Sequence, residues 1–170
     1  FGKPVFLSLG ASTPEEIDAA VSAVLGTGNR QLALLACTLS YPTKDADAHL
    51  RRVETLRRRY PGAVVGLSDH PEPDEHMVIP ALACALGARI IEKHYTLDRT
   101  MTGSGHAFAA DPPALAAMVR NIRLADTVLG SGELKVHPAE RAARQRARRS
   151  IVAEVPIRRG QVITQAMLGV

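Results

Sequence analysis

The chain has 170 residues, 46% of them hydrophobic and only 4% aromatic, with a formal net charge of +4. That length supports one domain, or one and a fraction, and a filling dominated by Ala, Val, Leu and Ile is that of a helix-rich α/β protein. Two cysteines, Cys37 and Cys84, argue against a disulfide framework, and no signal peptide or membrane-length apolar run is visible, so a soluble cytoplasmic protein without a membrane partner is expected.

In chain order, Pro4–Leu9 (PVFLSL) reads as a buried strand. A helix over about 14–25 follows, opened by a capping box of Thr13 and Glu16 with Pro14 at its first position. QLALLACT is the second strand, with a helix predicted over about 46–60. AVVGLSDH is the third, with a helix near 76–86, and ARIIEKHYTL the fourth, with a helix over about 113–129. Four strand–loop–helix units in succession are either half of a barrel or one wing of an open sheet.

The strand ends favour the barrel. They carry Ser8; then Thr38, Ser40 and Tyr41; then Ser68, Asp69 and His70; then Glu92, Lys93 and His94. In a (β/α)8 barrel the chemistry collects at the C-terminal ends of several strands. A dinucleotide-binding sheet would place a GxGxxG in its first turn, and none occurs. Four strands leave an open edge, so a longer natural protein is expected on the N-terminal side.

His70 and His94 lie one unit apart, at adjacent strand ends. Two imidazoles meeting there suit a transition ion such as Mn²⁺, Fe²⁺ or Zn²⁺, completed by substrate or water oxygens; the alternative is two unrelated loop histidines. Asp69 and Glu92 are partners of those imidazoles or alternative ligands. Lys93 binds an anionic substrate or forms a salt bridge outside the barrel. The arginines cluster at Arg51, Arg52, Arg57, Arg58 and Arg59, and at Arg141, Arg144, Arg146, Arg148 and Arg149. No aromatic platform accompanies either cluster, so they read as solvated helix faces and a charged linker rather than a nucleic-acid surface.

KPVFLSLGAST, CTLSYPT, VVGLSDH, GARIIEKHYTLDRT and ARRSIVAEVPIRRGQVIT resemble, in that order, the second half of the sialic acid (N-acetylneuraminate) synthases. The resemblance implies the last four units of a (β/α)8 barrel at 1–130, a linker at 131–149 and the start of an antifreeze-like domain at 150–170. It implies condensation of phosphoenolpyruvate with N-acetylmannosamine or a related N-acetylated sugar, giving a nonulosonic acid and phosphate. It implies a divalent metal, Mn²⁺ first and Mg²⁺ or Co²⁺ otherwise, held by His70 and His94, and a homodimer. Ser8 and Ser68 match serines that hold phosphoenolpyruvate, and Tyr41 a tyrosine of the sugar pocket, which makes His70, His94 and Tyr41 the catalytic group. Two positions depart from the family. Gly105, in MTGSGHAF, stands where many members have an aspartate on the sugar hydroxyls. Leu39 replaces an asparagine near the phosphate, with Ser40 available to take over. The acceptor is therefore open among sialic, legionaminic and pseudaminic types. His106 is a pocket residue or an exposed loop histidine. The fragment by itself is expected to be inactive, since the family's cationic residues come from the first four strands, and a degenerate barrel kept as a binding module is the alternative.

Overall fold

The computed structural model describes residues 2–170, in two compact units, Phe1–Gly130 and Ser131–Val170. In the first, β1 (Val5–Ser8), β2 (Leu32–Cys37), β3 (Val64–Asp69) and β4 (Ile91–Lys93) form one parallel sheet in the order β1-β2-β3-β4. The helices α1 (Pro14–Gly26), α2 (Arg52–Arg59), α3 (Val78–Ala85) and α4 (Pro112–Leu129) follow the strands in turn. Strand order never reverses, which is the connectivity of consecutive barrel units and not of a doubly wound sheet. The unit is a parallel half-barrel.

Alternation along the strands sorts the two faces. Leu32, Leu34, Ala36, Val65 and Leu67 pack with Val21, Val53, Leu56 and Ala83 of the helices in one buried cluster. Ala33, Leu35, Cys37, Gly66, Ser68 and His70 therefore point to the opposite, inner face, and they are buried there too. This double burial is why LALLAC reads as an unbroken apolar run. Gly66 is required at its position: a Cβ there would lie 2.6 Å from Leu35 Cδ2 and 2.5 Å from the Ile90 carbonyl oxygen.

The N-terminus of α1 is built as its sequence predicts. Thr13 Oγ1 accepts from the Glu16 amide at 3.3 Å, and Glu16 returns a bond to the Thr13 amide at 2.8 Å. Two helices start later than the periodicity suggests. The helix predicted from 46 begins at Arg52, because Asp45–Asp47 close a single 3-10 turn and His49 sits at φ 45°, where an α-helix cannot pass. The helix predicted near 76 begins at Val78, after Met77 at φ 47°.

The arginines of α2 are not simply solvated. Arg52 Nη1 donates to the Cys37 carbonyl at 3.1 Å and to Thr38 Oγ1 at 3.3 Å, Arg57 donates to the Leu86 carbonyl at 3.3 Å, and Arg59 pairs with Asp18 of α1. Guanidinium forks stitch loop carbonyls and neighbouring helices together.

In the second unit, the segment expected to be a linker contains a 3-10 turn at Pro138–Glu140 and a helix, α5 (Arg141–Ala147), with its arginines exposed. The strand-like tail is mostly non-strand. Two short strands, β5 (Val152–Ala153) and β6 (Leu168–Gly169), pair antiparallel, while 162–164 join neither. Among the described residues no helix is long and apolar enough to cross a membrane.

Candidate functional site

The last aligned pair of β3 and β4 is Asp69 with Lys93, so His70 and His94 leave the sheet side by side at its C-terminal edge. Their ring centroids are 5.5 Å apart, nearly edge to face. His70 is buried, and its Nδ1 lies 3.0 Å from the Thr38 carbonyl oxygen. A carbonyl only accepts, so Nδ1 carries the proton and the Nε2 lone pair is left for a ligand. Cys37 Sγ approaches the same Nδ1 at 3.7 Å, and Ser68 Oγ lies 3.4 Å from Nε2. His94 is more open. Burial, then the neighbouring His70, hold its pKa below the ordinary histidine value, which favours the neutral ring that ligates metals.

Of the aligned pairs of β3 and β4, Ser68 with Glu92 faces inward, and Ser68 Oγ donates to Glu92 Oε1 at 2.6 Å. With its one proton committed there, Ser68 can bind an anion only by turning that proton away from Glu92. On the helix-facing side, Lys93 and Asp69 pair at 2.9 Å with both side chains 3% exposed. Of the two roles read for Lys93, the structure gives the ion pair. Burial holds the Asp69 carboxyl above its usual range despite the Lys93 ammonium beside it, and Asp69 Oδ1 is buried without a hydrogen-bond partner among the described residues.

Two loops bring further rings. The Tyr41 ring stands 4.3 Å from His70 and 5.7 Å from His94, and Phe108 lies 5.1 Å from His94 and 5.8 Å from Tyr41. Tyr41 is half exposed, and its hydroxyl has no hydrogen-bond partner among the described residues. The loop after β2 is braced by Thr43, whose hydroxyl donates to the Ser40 carbonyl at 2.8 Å, while Ser40 Oγ itself donates to the Pro42 carbonyl at 3.3 Å. Gly105 lies against His94: at φ +95°, a Cβ there would be 3.3 Å from His94 Nδ1. His106, read as either a pocket or a surface residue, is a brace, with Nδ1 2.8 Å from Thr96 Oγ1.

The structure thus brings together Ser68, His70, Glu92, His94, Tyr41 and Gly105. Ser8 lies apart at the end of β1, where it is aligned with Leu35 and exposed on the inner face, and Ser40 stays in its own turn. Phe108 escaped the sequence reading. Nothing in the spacing from 94 to 108 shows that the loop folds back over the strand that starts it.

The matches to known proteins fit this geometry. The sequence profile of the NeuB family matches residues 1–134. The chain belongs to the NeuB family. An uncharacterized protein of Methanocaldococcus jannaschii is 44% identical over 96% of this chain and 47% of its own length. The N,N'-diacetyllegionaminic acid synthase of Legionella pneumophila is 36% identical over 95% of this chain and 46% of its own length. A crystal structure of the N-acetylneuraminic acid (sialic acid) synthetase of Leptospira borgpetersenii, in complex with citrate, superposes with a TM-score of 0.76 at 38% identity, covering 85% of this chain and 49% of that one. The chain spans about half the length of these relatives.

The residues present suit a divalent ion as a two-imidazole site. His70 has one nitrogen fixed as a donor and the other free, and His94 tends to neutrality. No group of three or more His, Cys, Asp or Glu side chains able to hold a metal occurs among the described residues, so further ligands would be oxygens of substrate or water.

Proposed function

We propose that the protein carrying this half-barrel condenses phosphoenolpyruvate with an N-acetylated sugar of the N-acetylmannosamine, legionaminic or pseudaminic series, giving a nonulosonic acid and inorganic phosphate. The observation that supports this most directly is the facing pair of His70 and His94 on the inner edge of a NeuB half-barrel, with Tyr41 and Phe108 around it. His70 and His94 would hold a divalent ion, Mn²⁺ first and Mg²⁺ or Co²⁺ otherwise, which supplies Lewis-acid polarisation of the open-chain acceptor's aldehyde. The methylene carbon of phosphoenolpyruvate attacks the aldehyde carbon. Water adds to the resulting cationic carbon, and the tetrahedral intermediate expels phosphate with cleavage of the C–O bond.

The chain's own groups have defined parts in this scheme. The Thr38 carbonyl keeps the His70 proton on Nδ1. Glu92 is the inner-face carboxylate within reach of a proton at Ser68. Tyr41 presents a free hydroxyl and an aromatic wall to the sugar, and Ser8, Ser40 and Ser68 offer hydroxyls to phosphoenolpyruvate or the acceptor. The inner-face strand ends carry Ser8, Cys37, Ser68, His70, Glu92 and His94, none of them a lysine or arginine. A phosphate dianion needs cationic partners, so the 170 residues alone are expected to be inactive, the cations coming from the rest of a longer chain. We also read residues 150–170 as entering an antifreeze-like domain and the whole protein as a homodimer, both from the family resemblance, and the protein as cytoplasmic from its cysteine usage.

The test is phosphate release from phosphoenolpyruvate by the intact protein with Mn²⁺ and a panel of N-acetylated sugars, with the product mass determined. Release that depends on one sugar, with a product mass of sugar plus the pyruvyl unit, is the expected result and identifies the acceptor. A folded protein that is silent with every sugar would point instead to a barrel kept for binding.

A further inference from the structure

The ammonium of Lys93 is bonded at two points, and they flank a single residue. Nζ lies 2.9 Å from Asp69 Oδ2 and also donates to the Pro71 carbonyl. Asp69 and Pro71 are the neighbours of His70 on either side, and Lys93 is the neighbour of His94. One buried cation, carried by the residue before the second imidazole, therefore grips the chain on both sides of the first, through a side-chain carboxylate before it and a backbone carbonyl after it.

The surroundings show what this grip controls. β3 ends at Asp69 and β4 at Lys93, so past this pair the ladder no longer sets the spacing of His70 from His94. The loop after β3 has other anchors nearby: the His70 carbonyl accepts from the Thr43 amide at 3.1 Å, Thr43 bridges Pro71 in parallel, and His70 Nδ1 donates to the Thr38 carbonyl at 3.0 Å. These tie His70 to the loop after β2 and do not reach β4. The inner-face bond from Ser68 to Glu92 joins the strands one residue earlier. Lys93 is the side-chain link that joins β4 to the chain beyond β3 at the level of the imidazoles. A need for stability does not explain its presence, because apolar side chains of similar volume commonly replace a buried ion pair without loss.

We propose that Lys93 and Asp69 are positioning residues, which hold His70 and His94 at the separation needed to share one divalent ion; this rests on reading those two histidines as a metal pair. They touch neither ion nor substrate. Both side chains lie on the helix-facing side of the sheet, and they act through the chain on either side of His70.

The experiment is Mn²⁺ binding to the intact protein, followed by the electron paramagnetic resonance signal of the free ion, with no substrate and no turnover. His70→Ala and His94→Ala should each abolish specific binding. Asp69→Leu/Lys93→Met should fold with a thermal midpoint close to wild type yet bind Mn²⁺ about 10- to 100-fold more weakly, the usual cost of losing an outer partner of a metal ligand. Wild-type affinity in that folded double variant, with binding lost in the histidine variants, overturns the positioning role and leaves the metal pair standing. Unchanged affinity in both histidine variants overturns the metal pair itself, and the positioning role with it. Should the double variant fail to fold, the near-isosteric Asp69→Asn variant decides: a several-fold loss of affinity supports the proposal, and wild-type affinity overturns it.

Discussion

At the scale of single residues, the site is set by backbone geometry as much as by side chains. Gly105 shows this most clearly. Its replacement of an aspartate reads at first as a missing sugar contact, with Gly105→Asp as a simple restoration. The structure adds a constraint: at φ +95° a side chain is strained, and its first carbon would already be 3.3 Å from His94 Nδ1. Gly105→Ala is therefore expected to cost about 1–3 kcal/mol of stability, measured as a shifted denaturant midpoint at constant slope, and Gly105→Asp at least as much. Any change of acceptor preference in Gly105→Asp has to be read against that loss. A wild-type midpoint for Gly105→Ala would mean that the loop relaxes freely. His70 shows the complementary case, where a neighbouring carbonyl, that of Thr38, and no charged group selects which nitrogen is free.

At the scale of elements, caps and breaks govern where helices begin. α1 starts at the Thr13 capping box, so Thr13→Ala should lower the unfolding free energy by about 1 kcal/mol, checked by urea denaturation. α2 and α3 instead start just after residues at positive φ, His49 and Met77. No run of Gly, Asn or Asp marks those two positions in the sequence; Met77 is buried and His49 exposed, so they share a backbone conformation and not an environment. Most of the four strands and α1 and α4 were legible because their apolar periodicity and punctuation are strong. The short β4 was legible chiefly through the IIEKH run, whereas the 3-10 turn and the late start of α2 were not.

At the scale of the whole molecule, the half-barrel keeps a helix-facing core and an inner face that carries the site. Between α1 and α2 that arrangement is closed on the outside by Asp18, Arg59 and Tyr60, where Tyr60 Oη donates to Asp18 at 2.5 Å and Arg59 Nε at 3.2 Å. These bonds, Arg59 first and then Tyr60, hold the Asp18 pKa below the usual carboxylate range. A depressed folded pKa contributes stability that is present above the unfolded value, about 3.9, and is lost as pH falls through the lower folded value. The thermal midpoint of wild type should therefore exceed that of Asp18→Asn by a constant amount from neutral pH down to about 5, and the gap should close below about 4. The gap should also shrink in high salt, because the groups are solvent-exposed. A gap that persists unchanged to pH 2 would mean that the carboxylate charge is not what links these helices.

The sequence by itself determined the α/β class, the succession of strand and helix units, and the delivery of polar residues at strand ends, because alternation, apolar run length and capping are local properties that neighbouring residues settle among themselves. Family membership was legible too, in the SDH and EKHYTLD stretches taken together. What the tertiary structure decided was every relation across strands and loops. The register that aligns Asp69 with Lys93, the turning of Lys93 away from the inner face, the carbonyl that fixes the His70 proton and the return of Phe108 to His94 all join residues far apart in sequence. Such contacts depend on how the strands align and the loops close, and no local pattern encodes that until the chain has folded.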